Sequence, residues 1–284
     1  MIEYIKKPYN DEEIYKILNP IVRTWFKSKF KTFSDPQKYA IIPIHQRQNI
    51  LVSAVTGSGK TLTGFLAILN ELINLSEQKK LENRVYAVYC SPLKALSNDV
   101  QLNLINPLKE MEQQENKQFG IRIGLRTGDT SVSERQKMLK YPPHILVTTS
   151  ESLAILLTTI KFSELLKDVQ YFIMDELHSF AENKRGTHLT LSLERLQHLS
   201  PTMTRAGLSA TAEPIEKLAQ FLVGTQRECK IVKTDLTKKL DVKVISPVQD
   251  LMNTTERQIH HQLYSLLDNL IEEHRTTLIF TNTR

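Results

Sequence analysis

Residues Ala54-Val55-Thr56-Gly57-Ser58-Gly59-Lys60-Thr61 lie between an apolar, β-branched run and an amphipathic stretch. Glycines there let the backbone fold tightly, so that its N–H groups can turn inward on an anion. A helix opening directly afterwards adds the positive end of its dipole. Thr56, Gly57, Ser58 and Gly59 are therefore candidates for a phosphate cradle. Lys60 is the candidate cation for β- and γ-phosphates, and the Thr61 hydroxyl is a candidate magnesium ligand. The strict pattern has glycine at its first position, where this chain has Ala54.

A second constellation follows the apolar run Tyr171–Met174, which ends in Asp175-Glu176-Leu177-His178. Asp175 is the candidate to hold magnesium through water, and Glu176 to orient and deprotonate an attacking water. Transfer of a γ-phosphoryl group needs mostly such positioning and charge neutralisation. An Asp-Glu pair after a strand is commonplace by itself and takes its meaning from the phosphate loop. Glu272-Glu273-His274 echoes the same letters at a helix end and reads as solvated surface. His260-His261 has no third ligand in view and reads as an ordinary histidine pair. Ser34 and Gln37 have the spacing of a helix capping box.

The elements that must position these groups alternate. Strands are predicted at Ile50–Ala54, Val85–Cys90, Ile121–Thr127, Ile145–Thr149, Val169–Met174 and Ala206–Ser209. Helices are predicted between them, at Thr61–Leu75, Lys94–Gln113, Leu189–Leu199 and Pro214–Leu222. Apolar strands alternating with helices indicate an α/β fold, a parallel sheet covered on both faces. Ligands of such sheets bind at the carboxyl ends of strands. The pattern pauses at Val223-Gly224-Thr225-Gln226 and restarts with a strand at Lys239–Ile245, a helix at Glu256–Glu273 and a strand at Thr277–Thr281. The expected organisation is one domain over 1–226, then a linker and the start of a second domain over 227–284, whose remainder would follow Arg284.

The chain has 284 residues, with 37 Lys+Arg against 31 Asp+Glu. A net charge of +6 leans toward a polyanionic partner. Arg23, Lys27, Lys29, Lys31, Lys38 and Arg47 concentrate that charge early, although a solvated face would look the same. The cysteines Cys90 and Cys229 are far apart and form no metal-ligand spacing, which disfavours a zinc module or a disulfide scaffold. With no signal-like start and no apolar run near the ~20 residues of a membrane span, a cytoplasmic protein without a membrane partner is expected.

Together these segments resemble a superfamily 2 helicase of the DEAD/DEAH type, most closely the Lhr-like (large helicase-related) group. Thr56–Thr61 resembles motif I, and Ser91-Pro92-Leu93-Lys94-Ala95-Leu96-Ser97-Asn98-Asp99 motif Ia. Arg126-Thr127-Gly128-Asp129-Thr130 is similar to the RTGDT segment, and Thr148-Thr149-Ser150-Glu151-Ser152-Leu153 stands at motif Ib. Asp175–His178 resembles motif II, Lys184-Arg185-Gly186-Thr187-His188-Leu189 the stretch that follows it, and Leu208-Ser209-Ala210-Thr211 motif III. Thr277–Arg284 resembles motif IV, which opens a second RecA-like lobe.

The resemblance implies a RecA-like P-loop domain that couples hydrolysis of ATP with Mg2+ to movement on, or unwinding of, single-stranded or duplex DNA or RNA. It implies that Gln37 reads the adenine edge. Ser209 and Thr211 would hydrogen-bond toward Asp175 and His178, linking the ATP site to nucleic acid. Pro92, Lys94, Arg126, Thr127, Gly128, Thr149 and Glu151 follow predicted strands and would grip a nucleic-acid backbone without reading bases. Motifs V and VI, with the arginine fingers, would lie in the second lobe, so this portion alone is expected to be weakly active. Two other classes stay open: a P-loop ATPase or switch with no nucleic-acid role, and a non-catalytic binding protein derived from a helicase lobe.

Overall fold

The computed structural model describes residues 2–92, 99–234, 241–250 and 252–281. The chain divides into two compact units, Met1–Leu236 and Thr237–Arg284. The first holds an 8-stranded sheet of order β1-β8-β2-β7-β6-β3-β5-β4. Its strands are β1 Ile2–Tyr4, β2 Ile50–Ala54, β3 Ala87–Cys90, β4 Ile123–Arg126, β5 Ile145–Thr148, β6 Tyr171–Met174, β7 Thr204–Ser209 and β8 Cys229–Thr234. Every pairing is parallel, as the apolar runs predict.

The central strands are buried on both faces, and their side chains alternate between two cores. Ile50, Val52, Tyr89, Ile145, Val147, Tyr171 and Ile173 enter one core. Leu51, Val88, Cys90, Leu146, Phe172 and Met174 enter the other. The first is closed by α1 Asp11–Ile17, α2 Pro20–Lys29, α3 Asp35–His45, α4 Lys60–Glu77 and α5 Asn106–Gln114. The second is closed by α7 Ser150–Thr158, α8 Ile160–Leu165, α9 His178–Ala181, α10 Lys184–Leu199 and α11 Ile215–Val223. Each fully buried large side chain is worth about 1.5–3 kcal/mol over leaving it in water. The short α6, Val132–Lys140, buries no residue and follows β4 at the sheet edge.

Several boundaries differ from the sequence expectation, each for a physical reason. β7 begins at Thr204 rather than Ala206 because Arg205, 1% exposed, is buried and its Nε and Nη1 find partners. Its Nε donates to Gln197 Oε1 at 2.8 Å, and its Nη1 to Glu194 Oε1 and Leu222 O at 2.9 Å each. Residues 229–234, expected after the domain boundary at 226, are β8, paired along their length with β2. Lys230 and Lys233 break that strand's apolar run, but they pair with Glu3 and Glu213 respectively.

The helix expected over Lys94–Gln113 partly lies outside the described residues. Its described portion contains a π-helical turn, Gln101–Ile105, before α5. Pro107 has no N–H to continue the regular ladder, and Asn106 N–H reaches back to Gln101 O. α10 starts at Lys184, ahead of Leu189, because the Asn183 side chain accepts from Gly186 N–H at 3.1 Å.

In the second unit the helix stands where it was expected, as α12 Glu256–Glu273. Of the strand expected at Lys239–Ile245, residues 239 and 240 lie outside the described residues; neither 241–245 nor the other expected strand, 277–281, is in a strand. A strand is defined by its neighbouring strand, and neither segment belongs to the 8-stranded sheet.

Candidate nucleotide site and adjoining sheet edge

Strand order decides which loops meet. β2, β7 and β6 are consecutive in the sheet, so the phosphate loop, Ser209-Ala210 and the acidic pair share one stretch of the carboxyl edge. Gly59 caps α4 with φ 88°, in the left-handed region that suits glycine. Lys60 is 4% exposed. Its Nζ donates to Ala54 O at 3.3 Å and lies 3.8 Å from Glu176 Oε1. Thr61 Oγ1 is 3.4 Å from Asp175 Oδ2. The structure thus brings Lys60, Thr61, Asp175 and Glu176 together.

Asp175 is 1% exposed and each of its oxygens has a donor. Tyr89 OH donates to Oδ2 at 2.5 Å, and Glu176 N–H to Oδ1 at 2.8 Å. Burial pushes its carboxyl above the usual range, against the pull of those two hydrogen bonds. Burial likewise pushes the Tyr89 phenol up, reinforced by the Asp175 charge. Tyr89 was not among the sequence candidates; its only sequence signal is a hydroxyl inside an otherwise apolar strand.

Glu176 has φ 51°, uncommon for a residue with a side chain. Such strain is found where a turn must present a functional group. The turn is held by Ser179 N–H donating to Glu176 O at 2.8 Å.

His178 joins this turn to the end of β7. Ala210 N–H donates to His178 Nδ1 at 3.1 Å, so Nδ1 is the acceptor and Nε2 carries the proton of the neutral ring. Ser209 Oγ is 3.2 Å from the same Nδ1. Nε2 is 3.2 Å from Glu176 Oε2. Ser209 therefore meets His178 as expected. Thr211 does not: it is exposed and takes no part in these hydrogen bonds, because the chain has already turned away from the sheet. The Ala210 amide supplies the contact instead, a backbone donor that residue types cannot reveal.

Gln37 is buried, and its Oε1 accepts from Ser34 N–H at 2.9 Å in the expected capping box. A Cβ on Gly59 would stand 3.0 Å from Ser34 Oγ and 3.1 Å from Gln37 Nε2. The start of α3 therefore lies against the phosphate loop. Ser58 Oγ is buried without a hydrogen-bond partner. With an adjacent buried lysine, a hydroxyl and a carboxylate, this is a donor set that fits a nucleotide phosphate and a hard cation.

The neighbouring stretch of edge belongs to β3, β5 and β4. Cys90 and Arg126 both pair with Thr148 in register, which sets Pro92, Thr127, Gly128 and Thr149 along one rim. Pro92 is half-buried and Gly128 exposed. Arg126 is buried and its Nη1 donates to Thr127 O at 2.6 Å. Thr149 is buried and caps α7, accepting from Ser152 N–H at 3.4 Å. Glu151 is exposed and pairs with Arg185 Nε at 2.6 Å. Partial burial opposes its charge, but Arg185 and neighbouring donors hold its carboxyl at about 2. Lys94, with most of the expected motif Ia, lies outside the described residues.

The early basic residues are largely engaged. Lys29 pairs with Glu110 at 3.0 Å, Lys38 with Asp11 at 3.4 Å, and Lys27 lies over the Tyr15 ring. His260 and His261 are exposed on α12.

A profile of the DEAD/DEAH box helicases matches residues 34–221, which span this whole site. The chain belongs to the DEAD/DEAH box helicase family. Within that family it is 54% identical to the ATP-dependent helicase Lhr-Core of Methanocaldococcus jannaschii, over 100% of this chain and 34% of the relative. It is 51% identical to the Lhr-Core helicase of Saccharolobus solfataricus, over 97% of this chain and 32% of that one. Among solved structures, the Mycobacterium smegmatis helicase Lhr bound to ssDNA and AMP-PNP superposes with TM-score 0.78 at 36% identity. That match covers 95% of this chain and 35% of the solved one. The Lhr-like resemblance of the motifs thus holds. This DEAD/DEAH box helicase chain spans about a third of the length of the curated relatives it matches.

Proposed function

We propose that this chain is the ATP-binding portion of an Lhr-like helicase or translocase, which couples ATP hydrolysis to movement on nucleic acid. The observation that carries the reading is the convergence of Lys60, Thr61, Asp175 and Glu176 at adjoining strand ends. Lys60 serves the β- and γ-phosphates, and the cradle amides come from 56–59. Gln37, held by its cap near Gly59, would read the adenine edge. Thr61 and Asp175 would hold Mg2+, which when bound neutralises the charge developing on the phosphoryl group. Glu176 orients and deprotonates water, and His178 fixes the carboxylate that does so. Pro92, Arg126, Thr127, Gly128, Thr149 and Glu151 lie along the rim assigned to a DNA or RNA backbone, and the motif assigns Lys94 the same role. The buried Arg126 and Thr149 act there by shaping loops and exposing amides rather than by direct reach. Residues 237–284 are taken as the opening of a second RecA-like lobe. The exposed Leu263, Tyr264 and Ile271 of α12 support this, as a face that a larger core would cover. No described helix is long and apolar enough to cross a membrane, and the buried free Cys90 and Cys229 agree with a cytoplasmic protein.

The test measures binding of a fluorescent ATP analogue and ATP hydrolysis, with and without single-stranded DNA and RNA, beside Lys60→Ala. Mg2+-dependent binding and nucleic-acid-stimulated turnover that both disappear in Lys60→Ala are expected. Robust hydrolysis indifferent to both nucleic acids would instead identify a P-loop ATPase without a nucleic-acid role. Binding without any turnover, unaltered when the second lobe is supplied, would identify a non-catalytic descendant.

A further inference from the structure

Tyr89 lies in the middle of the sheet, on β3, opposite Ile173 of β6 in register. Its ring packs against Phe65 of α4 with centroids 4.7 Å apart. Phenylalanine would fill that space equally well. The hydroxyl is therefore the part that needs a reason, since a buried polar atom is costly unless it is hydrogen-bonded. Its partner is Asp175 Oδ2, at 2.5 Å. The other oxygen, Oδ1, takes the Glu176 N–H at 2.8 Å. Two donors, one from β3 and one from the turn after β6, thus set both the position and the plane of this carboxylate. Thr61 Oγ1 approaches the same Oδ2 at 3.4 Å, too long to do so.

We infer that Tyr89 is a positioning residue, which through its hydroxyl holds the Asp175 carboxylate in the orientation that binds the magnesium of the nucleotide complex. The inference rests on the nucleotide site proposed above. Tyr89 acts through Asp175. Groups that orient a metal-binding carboxylate typically change metal affinity about 10–100-fold when removed. The phenol adds no charge to the site, so the carboxylate keeps its formal negative charge for a divalent cation.

The experiment titrates Mg2+ against binding of a fluorescent ATP analogue, without turnover, for the wild type and Tyr89→Phe. The Mg2+ concentration for half-maximal binding should rise about tenfold in Tyr89→Phe. Analogue binding in EDTA should stay as in the wild type. Thermal unfolding of the same proteins verifies that the ring still packs. Replacing Tyr89 by 4-aminophenylalanine, which restores a donor at the same place, should bring the Mg2+ dependence back. Unchanged Mg2+ dependence in Tyr89→Phe, or a loss that the amino group does not rescue, would overturn the inference. A wild type that binds the analogue without regard to Mg2+ would overturn the site reading itself, which separates the two failures.

Discussion

Nε2 of His178 lies 3.2 Å from Oε2 of Glu176. The imidazole can do this in one tautomer, because Ala210 N–H already occupies Nδ1. The end of β7 therefore sets the ring, and the ring sets the carboxylate. Replacing His178 by alanine should lower nucleic-acid-stimulated ATP hydrolysis about 100-fold, the cost of a misplaced reacting group. Affinity for a fluorescent ATP analogue should hardly move, since His178 meets Glu176, Ser209 and Ala210 rather than the phosphate loop. Steady-state turnover measured beside equilibrium binding checks this, and a parallel loss in both would argue that His178 merely supports the fold.

Gly59 tests the fit between α3 and the phosphate loop. Its φ of 88° disfavours any side chain, and an added Cβ would press on Ser34 Oγ and Gln37 Nε2. Gly59→Ala should destabilise the protein by about 1–3 kcal/mol, the cost of holding a residue in a sparsely populated conformation. It should also weaken nucleotide binding by displacing the cradle. Denaturant melts and an analogue titration read the two effects. A melt that matches the wild type would show that the loop adapts freely.

Acid stability should depend on His144, which is 1% exposed. Its Nδ1 accepts Arg122 N–H at 2.9 Å. Burial, reinforced by the Arg122 charge, holds its pKa down at about 4. Between about 6.5 and 4 the unfolded chain takes up a proton that the folded chain refuses. The stabilisation is complete above 6.5 and is lost as pH falls toward 4. At 1.36 kcal/mol per unit this amounts to about 3 kcal/mol. Chemical denaturation across that range should show the fall, and His144→Gln should flatten it. An identical slope in the variant would assign the acid sensitivity to other groups.

The clearest sequence signals were those where residue type and chemistry coincide. Gly57, Gly59, Lys60, Asp175 and Glu176 were legible because few backbones need that combination for packing alone. β2, β3, β5 and β6 were legible because strands buried on both faces read as unbroken apolar runs. Arg205 and Lys230 obscured β7 and β8, since their charges are acceptable there only through partners on other elements. Glu151 and Thr149 were placed on the nucleic-acid rim by motif, but their contacts to Arg185 and Ser152 also serve the fold. Thr211 had the right type and neighbourhood, and the turn after β7 left it exposed.

By itself, then, the sequence determined the class of fold, the phosphate loop and the acidic pair, because local propensity and side-chain chemistry are written residue by residue. Which strands became neighbours was decided only in the tertiary structure. That order brings the loops after β2, β7 and β6 together, sets Tyr89 on Asp175 and turns His178 between Ala210 and Glu176. These contacts join positions far apart in the chain, and several run through backbone amides that every residue carries. Only closure of the sheet selects which of them meet.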